Sequence, residues 1–255
     1  NTATLTSPDK GTLSAADDIL IIDPVANVSL AKTVNPAAGL TVPEAGSIDP
    51  ANYPTARYTL TAKNAAGTGQ GNANSGVSNA QWVRLIDPMP CAEAALEDCR
   101  VPNTESGAAT NPWANTTGMT LGDEMPFNWL TITNLTIGAS IPAQVDLSAS
   151  RVTLLHYNGG TFSTSETTAA TINAQPPGSY DDVVGFAVVF TSADSSANPA
   201  GGGGLITPAN NLSVTVDTQL RQTLRNNPSV ATHVNAGETL VTNNQAYAQL
   251  IRPEG

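Results

Sequence analysis

The residue best suited to chemistry is a lysine in the stretch from residue 27 to residue 34. Alternate side chains of a strand face the same way, so Lys32 shares a face with Val28, Leu30 and Val34. An unpaired ammonium is costly in an apolar core, because desolvation lowers its pKa and favours the neutral amine. A neutral amine is a nucleophile, and the sequence therefore raises the question of what Lys32 attacks.

Two further polar residues are expected on apolar strand faces. Asp87 ends the predicted strand 81–88 and follows aliphatic residues at alternate positions, and Asn244 alternates with small alanines in the predicted strand 239–251. Lys32, Asp87 and Asn244 thus lie on the core faces of three different predicted strands.

These three residue types are sufficient for a spontaneous amide crosslink. The Lys32 amine attacks the carboxamide carbon of Asn244, the Asp87 carboxyl group shuttles protons, and ammonia leaves. Close packing supplies the high effective concentration that a slow reaction needs. Alternatives remain open: Lys32 reaches solvent or only pairs with Asp87, Asn243 is the partner, Asn244 only bonds to backbone, or Asp87-Pro88 only begins a turn.

Cys91 and Cys99 are spaced to close a small loop by a disulfide. A disulfide closing so short a loop contributes about 2–3 kcal/mol in the chain-entropy treatment, and it indicates an oxidising, extracellular location. A metal site is less consistent with the sequence, because the two histidines, His156 and His233, are far from the cysteines in sequence.

Composition favours an all-β chain. Charged residues make up 12% and aromatic residues 5% of the 255 residues, while 40% are hydrophobic. β-Branched and turn-forming residues are abundant, and the helix formers Lys, Glu, Gln and Arg are scarce. A net charge of −11 argues against nucleic acid and anionic membrane surfaces as partners. We expect no membrane insertion, because no apolar run reaches spanning length.

The predicted fold is an enlarged, Ig-like β-sandwich with long loops. Residues 25–255 are expected to form one large domain, with a sub-boundary near 100–125 as an alternative. Residues 1–24 are expected to be the closing strand of a preceding repeat and a connector, because residues 1–5 weakly resemble 244–250. Strands are expected at 27–34, 57–64, 81–88, 127–137, 145–157, 161–174, 182–190, 205–220 and 239–251.

Four short motifs resemble the conserved-repeat domains of bacterial surface proteins, of the domain-of-unknown-function-eleven type. They are Val28-Ser29-Leu30-Ala31-Lys32-Thr33-Val34, Tyr58-Thr59-Leu60-Thr61-Ala62-Lys63-Asn64, Leu85-Ile86-Asp87-Pro88-Met89-Pro90 and Thr242-Asn243-Asn244-Gln245-Ala246. The resemblance implies a tandem Ig-like unit in an extracellular adhesin or stalk, with neighbouring repeats as partners. Isopeptide-linked pilin and adhesin domains supply the analogy for Lys32, Asn244 and Asp87.

Other classes of function remain as alternatives. An enzyme is not expected, because no nucleophile–base pair or metal cluster is visible in the sequence, and no cofactor is implied. A domain that binds carbohydrate or a host protein is one alternative, with Trp113 as a loop residue suited to ligand contact. Donation of a strand from residues 1–24 to a neighbouring subunit is another. Acidic pairs such as Asp181-Asp182 lack the ligand spacing of a calcium loop.

Overall fold

The structure, a computed structural model, describes residues 2–7, 11–16, 27–44, 49–65, 80–87, 111–113, 116–123, 125–193, 205–232 and 246–251. These residues form antiparallel strands with two short helices. The strands are β1 (Thr2–Ser7), β2 (Gly11–Ala16), β3 (Asn27–Asn35), β4 (Thr55–Ala65), β5 (Trp82–Asp87), β6 (Leu130–Ala139), β7 (Arg151–Asn158), β8 (Thr161–Thr168), β9 (Val183–Thr191), β10 (Asn211–Leu220) and β11 (Tyr247–Ile251); the helices are α1 (Pro126–Trp129) and α2 (Ala169–Ala174).

Two sheets make up the sandwich, and β1 and β2 pair with each other as an antiparallel hairpin. The first sheet has the strand order β3-β4-β10-β6, and the second has the order β11-β5-β9-β7-β8. Strand β10 lies between β4 and β6, so strands from both sides of residues 100–125 share one sheet. The predicted all-β sandwich is confirmed, whereas Ig-like topology stays a prediction.

The inner faces of the two sheets form one apolar core. β4 follows the predicted alternation, since Leu60 and Ala62 are fully buried and Lys63 is exposed. All nine residues of β9 are buried, which indicates that this strand is covered on both faces. Core residues come from both sheets, among them Leu60, Val214, Ile132, Val83, Val188 and Val152.

A β-bulge in β6 keeps its apolar residues on the core side. The pairing of β6 with β10 shifts at Thr133, which leaves an extra residue between Ile132 and Asn134. Ile132 and Leu135 are both buried although they are three positions apart. Without the extra residue, one half of the strand would turn its apolar side chains to solvent.

Two predicted strands contain helices. The predicted strand 127–137 begins with α1, where Pro126 occupies the first turn and has no amide hydrogen to lose. The predicted strand 161–174 ends with α2, because the Thr168 hydroxyl caps it by accepting a hydrogen bond from the amide of Thr171 at 3.2 Å. In α2, the Thr168 cap and three alanines among six residues favour a helix over the predicted strand.

Strand β8 is covered by the segment that begins at residue 111. The Asn111 side-chain amide donates to the Thr164 hydroxyl at 2.9 Å, and the Thr116 hydroxyl donates to the Phe162 carbonyl at 3.4 Å. These bonds hold the segment against β8 and seat Trp113 in the apolar core. Among the described residues, no helix is long and apolar enough to cross a membrane.

Candidate crosslinking site

Strand β3 positions Lys32 as the alternation predicts. Val28, Leu30, Lys32 and Val34 are half-buried, and the residues between them are exposed. β3 is the edge strand of its sheet and pairs with β4, placing Lys32 opposite Leu60. The lysine side chain extends from this edge towards the second sheet, where it meets Asp87.

Lys32 and Asp87 form a two-point contact between the sheets. The Lys32 Nζ donates to both Asp87 carboxylate oxygens at 2.8 Å. The Lys32 side chain is 18% exposed and that of Asp87 is 1% exposed. Such a pair is strongly coupled, because little water reaches it to screen the charges. The structure thus brings together two of the three residues that the crosslink requires.

The phenol ring of Tyr58 completes the surroundings of the lysine. Nζ lies 5.4 Å from the ring centroid, within the range of a cation–π contact. The sequence analysis did not connect Tyr58 with Lys32. The register of β3 against β4 accounts for the contact. Leu60 lies opposite Lys32, and Tyr58, two residues before Leu60, lies on the same face of the sheet.

Burial dominates the protonation of Lys32. Desolvation lowers the pKa of the Lys32 amine below its ordinary 10.5, although the Asp87 carboxylate, by its charge and hydrogen bonds, opposes the shift. The amine therefore loses its proton more readily than a solvated lysine does. This is the direction that nucleophilic attack requires.

Strand β11 lies next to β5, the strand that carries Asp87. It pairs with β5, with Tyr247 opposite Ile86 and Ala248 opposite Leu85, and it also contacts β3. Ala246 and Ala248 are half-buried and pack against the core, which confirms the predicted inner face at these two positions. Asn243 and Asn244 lie outside the described residues.

Trp113 is not placed as the sequence led us to expect. Its side chain is 4% exposed and belongs to the core, and its backbone amide donates to the Asn111 side-chain oxygen at 2.9 Å. A ring buried in this way packs against protein and offers no open face to a sugar. The suggested ligand role for Trp113 is therefore corrected to a packing role.

Of the two cysteines and two histidines, His156 lies in the described part of the chain. His156 contacts the Asp182 carboxylate at 3.1 Å through Nδ1 and the Ser165 hydroxyl at 2.7 Å through Nε2. Cys91, Cys99 and His233 lie outside the described residues, so the disulfide stays a prediction. In the described part of the chain, no group of three or more acidic, histidine or cysteine residues is arranged to hold a metal.

Comparison with known proteins identifies no family for this chain. No protein-family model matches it, and no curated protein matches it.

Proposed function

We propose that this chain is a structural domain of an extracellular bacterial surface protein, stabilised by a self-catalysed amide bond between Lys32 and Asn244. The observation that carries the proposal is the two-point contact of Lys32 with the nearly inaccessible Asp87 carboxylate. A lysine amine held against a buried carboxyl group is the arrangement that this reaction needs. The third group, the carboxamide, would come from Asn244.

The position of Asn244 in the chain supports its role as the acceptor. It precedes Ala246 by two residues, so the two Cα atoms are at most about 7 Å apart. Ala246 itself immediately precedes the pairing of Tyr247 with Ile86, the neighbour of Asp87. Continuation of the period-2 pattern would put Asn244 on the side of Ala246 and Ala248 that packs against the core.

The reaction balances with the groups named. A proton passes from the Lys32 ammonium to the Asp87 carboxylate, giving a neutral amine and a carboxylic acid. The amine attacks Cγ of Asn244 while the acid donates a proton to the carboxamide oxygen. The acid then relays a proton from the new C–N nitrogen to the departing amide nitrogen. The bond from Cγ to the departing nitrogen breaks, and the hydroxyl of the tetrahedral intermediate returns its proton to Asp87 as the carbonyl re-forms. The products are a secondary amide, ammonia and the carboxylic acid form of Asp87, which then passes its proton, originally on the Lys32 ammonium, to the ammonia.

Such a bond would suit a domain under tension. β3 and β11 are edge strands of the two sheets and contact each other. A covalent link between them would join an early and a late strand of the sandwich, so that force applied to the chain ends would not peel either edge away. This supports a role as a stalk or fibre repeat, with neighbouring repeats as partners.

Intact mass of the reduced and denatured protein tests the proposal. The expected mass is lower than that of the sequence by one ammonia, with the difference abolished in Lys32→Ala and Asn244→Ala. Folded Asp87→Asn protein should also show the full mass. Asn243→Ala serves as the matched control and should keep the deficit. Full mass for the wild type, or a deficit of one water from a Lys32–Asp87 bond, would overturn the assignment.

A further inference from the structure

A groove of about 700 Å³ opens at one end of the sandwich, away from Lys32 and Asp87. Its walls come from β6, the β7–β8 turn, residues 178–182 and the chain that follows β10. Two irregularities shape it: the bulge at Thr133 in β6, whose carbonyl accepts from the Gly178 amide at 2.7 Å, and a register shift between β7 and β9 beside His156. Bulges commonly redirect side chains towards binding sites.

Two arginines of the groove are held by neutral oxygen atoms. Arg225 donates from Nε to the Phe127 carbonyl at 3.0 Å and from Nη1 to the Asp181 carbonyl. Arg221 donates from Nη1 to the Thr131 hydroxyl at 2.9 Å and from Nε to the Thr223 carbonyl. Within the described ranges, neither guanidinium forms an ion pair with a carboxylate.

The charge of this arginine pair is incompletely compensated. Nη2 of Arg225 is buried and has no hydrogen-bond partner. Desolvation, followed by repulsion from Arg221, lowers the pKa of Arg225 to about 10, although Asp182 and Asp181 oppose the shift. Desolvation also lowers the pKa of Arg221, against the opposing charge of Asp181. An anion in the groove would offset both effects, because a planar guanidinium binds a carboxylate at two points.

Carboxylates and amides also line the groove, which narrows the class of ligand. Asp181 and Asp182 lie beside the arginines, with Asn158 and Gln219 on the walls. These groups accept hydrogen bonds from hydroxyl groups, but they repel a ligand that carries negative charge over its whole surface. A suitable ligand therefore has one anionic group and several hydroxyl groups.

We propose that this groove binds an acidic saccharide through a uronic-acid residue, with its carboxylate on Arg221 and Arg225 and its hydroxyl groups on Asp181, Asn158 and Gln219. The volume lies in the range of about 300–1,000 Å³ that is usual for small-molecule sites. Neither Lys32 nor Asp87 lines the groove, so the inference is independent of the crosslink and has a separate test.

The experiment titrates full-length protein with a galacturonic-acid oligosaccharide and measures heat and amide chemical shifts. The fully methyl-esterified oligosaccharide is the neutral counterpart, and inorganic phosphate is the anion control. We expect the acid to bind and to shift amides of residues 178–182, the ester to bind at least about tenfold more weakly, and phosphate not to compete.

Matched variants locate the binding. Arg221→Gln should weaken binding at least about tenfold, and Arg221→Lys should recover only part of it because an ammonium cannot make the planar two-point contact. Arg151→Gln is the control, since Arg151 is exposed and begins β7 roughly 20 Å from the groove end of that strand. Equal binding of acid and ester, displacement by phosphate, absence of binding, or equal losses in Arg151→Gln and Arg221→Gln would overturn the proposal.

Discussion

Lys32 and Asp87 join the two sheets from within the sandwich, with Nζ 2.8 Å from each carboxylate oxygen. A second ion pair, between Arg57 and Asp217, has one comparably short contact at 2.6 Å but lies at the surface, with the arginine side chain 59% exposed. Distance alone does not separate these pairs. Their difference is access to water, which decides how much each charge depends on its partner.

The first prediction concerns the dependence of Asp87 on Lys32. In an Asn244→Ala background, which removes the proposed crosslink acceptor, Lys32→Met leaves the Asp87 carboxylate buried without its ammonium. We expect a loss of about 3–5 kcal/mol in the free energy of unfolding, measured by urea titration. Adding Asp87→Leu should restore most of it, because an apolar pair replaces the ion pair.

Arg57→Met is the matched control for the Lys32→Met and Asp87→Leu variants. The exposed pair of Arg57 with Asp217 is screened by water, so this change should leave the urea midpoint nearly unaltered. Equal losses in Arg57→Met and Lys32→Met would show that burial does not set the strength of the inner pair.

The second prediction is a pH dependence with a defined sign. Burial lowers the pKa of Lys32 in the folded protein below 10.5, so on raising the pH the folded state releases this proton before the unfolded state does. In the interval between the lowered pKa and 10.5 the unfolded state binds more protons, and stability must rise with pH. Below this interval Lys32 is protonated in both states, and its contribution to the free energy of unfolding does not change with pH.

The measurement compares Asn244→Ala protein with the Asn244→Ala, Lys32→Met double variant in urea titrations between pH 7 and pH 11. The difference in free energy of unfolding should shift in favour of the lysine protein as pH rises towards 10.5. A shift in the opposite direction would mean that Asp87 raises the pKa of Lys32 more than burial lowers it.

Part of the fold was predictable because some strands alternate. In β3, residues 28, 30 and 34 are apolar, and that period alone placed Lys32 on the inner face. The helix α2 was missed because it has only six residues, directly follows a threonine-rich strand and depends for its start on one cap at Thr168. The sequence left open whether Lys32 contacts Asp87. The alternation of apolar residues predicts which face of a strand is buried, but it does not predict which strands lie opposite each other in the two sheets.

The arginine groove was beyond sequence reasoning for a different reason. Arg221 and Arg225 are four residues apart in a segment without regular periodicity, and the acidic pair Asp181-Asp182 is about forty residues away. The tertiary fold brings these groups together around one groove. Bulges have no reliable local signal in a single sequence.

The third prediction assigns Trp113 to the core. Because its ring is 4% exposed, Trp113→Ala should destabilise the protein by about 3–5 kcal/mol, and Trp113→Phe by less. In acrylamide quenching, Trp113→Phe should remove the shielded part of the tryptophan emission. If Trp113→Phe instead removed the most quenchable part, the ring would be open to solvent and the ligand role would be restored.

The fourth prediction contrasts two asparagines that substitute for a strand partner. Asn210 is fully buried, and its amide accepts from the Ile141 backbone nitrogen at 2.9 Å and donates to the Ile141 carbonyl at 3.0 Å. Asn173 makes the same two contacts with Ile137, each at 2.8 Å, on the open edge of β6, but is exposed. The two contacts with an isoleucine backbone are matched, while Asn210 is buried and also accepts from the Ser140 hydroxyl at 3.3 Å and donates to the Gln144 side-chain oxygen at 3.4 Å.

Replacement by alanine should separate the two sites. Asn210→Ala removes the partner of the Ile141 amide, whereas the Ile141 carbonyl keeps the hydrogen bond from the Gln144 amide at 3.1 Å. We expect a loss of about 1–3 kcal/mol in the free energy of unfolding. Asn173→Ala should cost about 1 kcal/mol or less, because water can take over both bonds at the edge. Hydrogen exchange adds a local readout: the Ile141 amide should lose protection in Asn210→Ala, and the Ile137 amide in Asn173→Ala. Equal losses of stability would mean that water reaches the Asn210 site and that burial does not increase the free energy lost there.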